Sequence, residues 1–194
     1  EYARSGLKLG LKHEATLGIN PFKMGLIGSS DSHTGMPATR EDNFMGKFGV
    51  DEPSPGRYEG VKKFQSFDLP KKELVASGYA AVWAKENTRG AIFDAMQRRE
   101  TYATTGPRMV VRFFGGWNFD DQDHLSPDFA AIGYSKGVPM GGDLANAPED
   151  QAPRFLVTAS KDPDGANLER IQIVKGWLGQ SGELKEKVYD VALS

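Results

Sequence analysis

Asp31 and His33 carry the pattern in this sequence best suited to chemistry. They stand in the string Gly28-Ser29-Ser30-Asp31-Ser32-His33-Thr34. In extended backbone, residues two apart leave the same face, roughly 6–7 Å apart along the strand. A carboxylate oxygen and an imidazole nitrogen can then converge on one divalent cation or on two neighbouring ones. Zn, Mn or Fe suits that donor set, whereas Ca and Mg suit imidazole poorly. Asp31 is the candidate catalytic carboxylate, as a terminal ligand or as the group that orients attacking water. His33 is a candidate ligand that must be neutral to bind. Ser, Asp and Thr after a strand are also ordinary turn and capping residues. A catalytic ion takes about three protein ligands. The chain has no cysteine and, besides His33, only His13 and His124 as histidines. The expectation is therefore an incomplete metal site, with most of its ligands outside this chain.

The elements that must position these residues follow from hydrophobic periodicity. Residues 1 to about 17 read as an amphipathic helix, with Ala3, Leu7, Leu11 and Ala15 on one stripe and Gly18 as its stop. The run Phe22 to Ile27 predicts a buried strand that delivers the Asp-x-His at its C-terminal end, where barrel enzymes place their ligands. From about 35 to 78 the pattern gives way to a long loop with scattered aromatics, a length that in a compact domain marks function or disorder. Tyr79 to Ala84 predicts a strand. Asn87 or Thr88 then caps a helix whose inner face is Ala91, Ile92, Ala95, Met96 and Arg99. Beyond Thr101, strands are expected at Tyr102–Thr104, Met109–Phe114, Arg154–Ser160, Arg170–Lys175 and Lys187–Ala192, with no helix among them. Turns are expected at Asp162-Pro163-Asp164-Gly165 and Gly179 to Gly182.

Composition sets limits on function. The 194 residues carry a net charge of -2, so no nucleic-acid partner is expected, because phosphate neutralisation needs a clustered basic excess. No apolar run approaches the ~20 residues that span a bilayer, which leads to the expectation of a soluble protein with no membrane partner. Leu, Ile, Val and Phe make up only about a fifth of the chain. With 23 glycines and 11 prolines, much of the backbone is expected in turns and loops. The first residues begin inside a helical pattern without an initiator Met, so the chain is expected to be a fragment or a processed piece of a longer protein. Its apolar faces at Met24 to Ile27 and Tyr79 to Trp83 are then expected to be exposed or covered by another copy.

Four strings carry a resemblance: NPFKMGLIGSSDSHTG, AVWAKENTRGAIFDAMQRRETYATTGPR, GVPMGGDL and KDPDGANLERIQIVKGW. Together they resemble the C-terminal part of a bacterial domain-of-unknown-function family related to the PHP (polymerase and histidinol phosphatase) metal-dependent hydrolases of the amidohydrolase-like group. The resemblance implies an α/β fold: the last strands and helix of a distorted (β/α)7 barrel over residues 1–106, followed by a small β-sandwich-like domain over 107–194. PHP sites end on an Asp-x-His after a strand, so only Asp31 and His33 carry over as ligands. The early His-x-His and the intermediate Glu and His ligands of that group have no counterpart here. The implied activity of the intact protein is hydrolysis of a phosphoester or a related ester, amide or carbamate in a small molecule, with this chain inactive alone. Association with the upstream part or a homo-oligomer is expected, in a bacterial cytoplasm or periplasm. The alternative is a non-catalytic β-rich binding or assembly module.

Other residues have plainer readings. Glu41, Asp42 and Asn43, and the cations Arg57, Lys62, Lys63, Lys71 and Lys72, read as solvated loop. Arg89 has Glu86 and Asp94 as salt-bridge partners at hand. Asp120, Asp121, Asp123 and His124 read as a hydrated loop. Ser160, Asp162, Asp164 and Gly165 imitate half an EF-hand but lack its final Glu and read as a β-turn. Trp83 and Trp177 read as core.

Overall fold

The structure, a computed structural model, describes residues 2–29, 59–63, 66–70, 78–145 and 147–194. It mixes helix and sheet, and every strand pairing among the described residues is antiparallel. No closed barrel is formed by those residues. The chain divides into two compact units, one comprising Glu1–Gly25, Trp83–Glu100 and Met109–Ser194, the other Leu26–Val82 and Thr101–Arg108.

In the first unit, α1 spans Tyr2–Leu17 and ends at Gly18, whose φ of 74° suits glycine. Helix α2 spans Arg89–Gln97 and is capped by Thr88, whose hydroxyl accepts from the Ala91 N–H at 3.3 Å. Its inner side holds Ala95, fully buried, with Ala91, Ile92 and Arg99 half-buried, while Met96 is exposed. Strands β5 (Val110–Gly116), β6 (Gly137–Pro139) and β7 (Arg154–Ser160) form a sheet in the order β6-β5-β7. A helix intervenes where none is expected: α3, Phe129–Lys136. It packs on β5 through Gly133, where an added Cβ would lie 2.5 Å from the Phe114 ring. Phe114, Phe119 and Leu156 form the buried core, with Phe129 and Ile132 of α3 against it. Strands β8 (Arg170–Leu178) and β9 (Leu184–Leu193) make a separate two-stranded ribbon. Its turn is closed by the Gly179 N–H on the Glu183 carbonyl at 2.8 Å and the Gly182 N–H on the Gly179 carbonyl at 3.0 Å. Helix α1 is tied to this ribbon by Lys8, 2.9 Å from Glu186.

In the second unit, β1 (Val61–Lys63) pairs with β2 (Asp68–Pro70), and β3 (Ala80–Val82) pairs with β4 (Thr101–Ala103). The Phe22–Ile27 run is not a strand. Residues 23–29 have no regular secondary structure, and Met24, Leu26 and Ile27 are exposed. An apolar run becomes a strand only with a ladder partner, and the Leu26 carbonyl instead accepts from the Thr101 hydroxyl at 3.3 Å.

Candidate functional site

Asp31 and His33 lie outside the described residues, as do Glu41, Asp42, Asn43, Arg57, Lys71 and Lys72. The backbone that leads into Asp31 is described as far as Ser29. Gly28 lies against the ends of the β3–β4 pair, where a Cβ would be 2.7 Å from the Tyr79 carbonyl oxygen and 2.9 Å from that of Thr104. Gly78 is tighter still, its Cβ position 1.9 Å from the Thr104 carbonyl oxygen. Tyr79 and Thr104 exchange backbone hydrogen bonds of 3.2 and 3.0 Å. A side chain at either glycine would therefore collide with backbone, which cannot swing away. The hydroxyl of the same Thr104 is buried without a hydrogen-bond partner, an arrangement that costs free energy unless a polar group meets it.

A second site lies wholly in the first unit and joins residues that sequence reasoning missed. Glu100 is 2% exposed. The Tyr134 hydroxyl donates to its Oε1, and Arg98 Nη2 donates to its Oε2 at 3.3 Å. Arg112 Nη1 in turn donates to the Tyr134 hydroxyl at 3.3 Å. The Arg112 guanidinium stacks 3.6 Å from the Trp83 ring centroid. Trp83 is held by its Nε1–H on the Val111 carbonyl and its backbone N–H on the Glu100 carbonyl, both at 3.0 Å. Burial, and then the Glu100 carboxylate beside it, push the Tyr134 phenol above its usual pKa, so the hydroxyl keeps its proton and donates. The one visible signal was Arg112 itself, a cation inside the apolar run Met109 to Phe114. Glu100 and Tyr134 stand 34 residues apart, a distance no spacing rule covers.

Asp123 and the Asp162 segment have structural roles. Asp123 is 5% exposed instead of hydrated. Its Oδ1 and Oδ2 accept from Lys136 Nζ at 2.8 and 2.9 Å, and Oδ2 also accepts the Asp120 N–H at 2.8 Å. The Asp162 segment is a turn, closed by the Gly165 N–H on the Asp162 carbonyl at 3.0 Å. Arg89 opens α2 and is exposed. Among the described residues, no group of three or more His, Cys, Asp or Glu is arranged to hold a metal ion. Nor is any helix among them long and apolar enough to cross a membrane.

The family described as "Protein of unknown function (DUF3604)" matches residues 1–194. No curated protein and no solved structure matches the chain.

Proposed function

The chain belongs to that family of unknown function over residues 1–194, and we propose, on its Asp-x-His string, that it is the C-terminal part of a PHP-like metal-dependent hydrolase. Asp31 and His33 are two of the ligands of a divalent ion, Zn, Mn or Fe, and the other ligands come from outside this chain. The reading carries with it a distorted (β/α)7 barrel that residues 1–106 help to complete, and cleavage of a phosphoester or a related ester, amide or carbamate bond.

The observation that carries this reading is the Asp-x-His string, entered from a backbone that Gly28 and Gly78 press against the β3–β4 pair. Ligands need their backbone held to within fractions of an ångström, and close backbone packing supplies that where side-chain packing would not. Thr104, whose carbonyl meets both glycines, also carries a buried hydroxyl without a hydrogen-bond partner. An oxygen and an imidazole nitrogen fit the borderline cations named above. When bound, such an ion lowers the pKa of a coordinated water toward neutrality. Asp31 holds the charge that offsets the cation, and His33 binds through its neutral ring.

Elemental analysis of the full-length protein tests the proposal, alongside Asp31→Ala and His33→Ala. Stoichiometric Zn, Mn or Fe that is lost in both variants is expected; a full-length protein that takes up none of these overturns it. A second reading, a non-catalytic β-rich binding module, draws on the exposed Val174, Val188, Tyr189 and Val191 of the β8–β9 ribbon. It gains if the metal is absent.

A further inference from the structure

The cleft lined by Trp83, Lys85, Arg98, Glu100, Arg112 and Tyr134 has a volume of about 590 Å3, inside the range of roughly 300–1,000 Å3 typical of small-molecule sites. Its charges do not cancel. Among the described residues of the lining, Glu100 is the one carboxylate, against cations at Lys85, Arg98 and Arg112. That carboxylate is already engaged at both oxygens, by Tyr134 and by Arg98.

Arg112 is placed differently. Its guanidinium donates one hydrogen bond, to the Tyr134 hydroxyl, and no carboxylate stands within ion-pair distance of it among the described residues. A guanidinium has five N–H donors, so most of this fork is unused. Its orientation is nonetheless set on two sides, by the Trp83 ring at 3.6 Å and by the Tyr134 hydroxyl. Stacking of this kind fixes the plane of the fork while leaving its edge free. A fixed, half-buried guanidinium with unused edge donors matches two coplanar oxygens of an oxyanion, which it can bind through parallel charge-assisted hydrogen bonds.

We propose that this cleft binds a small organic anion, which presents a carboxylate or phosphate group to Arg112 with Lys85 and Arg98 at the rim. Glu100 and Tyr134 are positioning residues: Glu100 takes the Tyr134 proton bond, and the Tyr134 oxygen is thereby turned to accept from Arg112. The buried carboxylate thus serves to aim the guanidinium, and its own charge is matched by Arg98. This assignment uses neither Asp31 nor His33, so it does not depend on the metal reading.

Isothermal titration calorimetry of the full-length protein tests it, with inorganic phosphate and with succinate as separate probes. Low ionic strength is needed, since exposed charges are screened beyond about 10 Å at 0.1 M salt. Saturable one-site binding of at least one probe is expected, and the better probe identifies the oxyanion. Arg112→Gln should weaken it about 10- to 100-fold, the range for losing charge-assisted hydrogen bonds. Lys85→Gln, at an exposed position, should weaken it roughly 2- to 5-fold, as for a rim charge. Circular dichroism establishes that each variant is folded, and the Lys85 variant keeps the test open if Arg112→Gln does not fold. No saturable binding of either probe, or an affinity unchanged in every folded variant, overturns the proposal.

Discussion

Helix α3 carries two polar clusters near its C-terminal end, and they are built to opposite plans. At Lys136 the ammonium faces both oxygens of Asp123 at 2.8 and 2.9 Å and Asp120 Oδ2 at 2.9 Å. Its three donors find three acceptor atoms, and Asp123 also takes the Asp120 N–H. Nothing is left over for a ligand. At Tyr134, two residues earlier, the buried Glu100 is satisfied but Arg112 keeps most of its donors free. Two clusters of similar composition therefore differ in whether the cation or the carboxylate is the group fully matched. A saturated cation locks a loop, whereas an under-matched cation in a cleft is able to receive an anion. Counting charged residues does not distinguish the two; counting donors does.

Phe114 lies under the helix that carries both clusters. The Phe114 ring is 1% exposed and meets Tyr134 edge-on at a centroid distance of 5.1 Å, beneath Gly133. Phe114→Ala should lower the unfolding free energy by about 3–5 kcal/mol in urea titrations and loosen both clusters together. Asp123→Ala should separate them. The loss of its acceptors should cost about 1–3 kcal/mol, while anion affinity in the Arg112 cleft stays within about twofold of the parent. If Asp123→Ala also weakens anion binding well beyond twofold, the Lys136 and Tyr134 clusters act as one unit.

The smallest effect concerns pH. The Lys136 bond, then the Gln122 N–H, holds the Asp120 carboxyl below its usual pKa. A carboxyl lowered in the folded state stabilises it above the unfolded value of about 3.9, and that contribution fades as pH falls through the lowered folded value. Lys136 is raised, by Asp123 first and then Asp120. Its contribution is present below about pH 10.4 and is lost as pH rises through the raised value. Asp120→Asn should therefore flatten the acid limb of melting temperature against pH and leave the neutral plateau nearly unchanged.

Much of the local structure was legible in the sequence, because it depends on neighbours along the chain. The Thr88 cap, the end of α1 at Gly18, the strand Arg154–Ser160 and the two glycine turns follow from capping, periodicity and turn chemistry. Helix α3 was not legible. Its eight residues are apolar nearly all round and include Gly133, so the sequence lacks an amphipathic period; the helix exists because that glycine lets the backbone settle on Phe114. Phe22–Ile27 failed in the opposite sense, having the apolar content of a strand without a ladder partner. At the proposed metal site, the residue types of Asp31 and His33 were readable from their spacing, and both lie outside the described residues. The anion cleft was hidden almost entirely, since it assembles Trp83, Glu100, Arg112 and Tyr134 from four separate segments.

The β8–β9 ribbon has a kinetic meaning as well. Its strands are joined by the short Gly179–Gly182 turn and pair along their whole length, with one irregularity at Ile171/Gln172. Little chain entropy is lost in closing such a connection, and hairpins of this kind form in about 1–10 μs. The β5–β7 ladder, in contrast, must bring Val110 against Ser160 and Gly116 against Arg154, with α3 and its loops in between, before any of its burial is realised. Closing the ribbon therefore costs little chain entropy, whereas the β5–β7 ladder under the aromatic core carries the larger loop-closure cost.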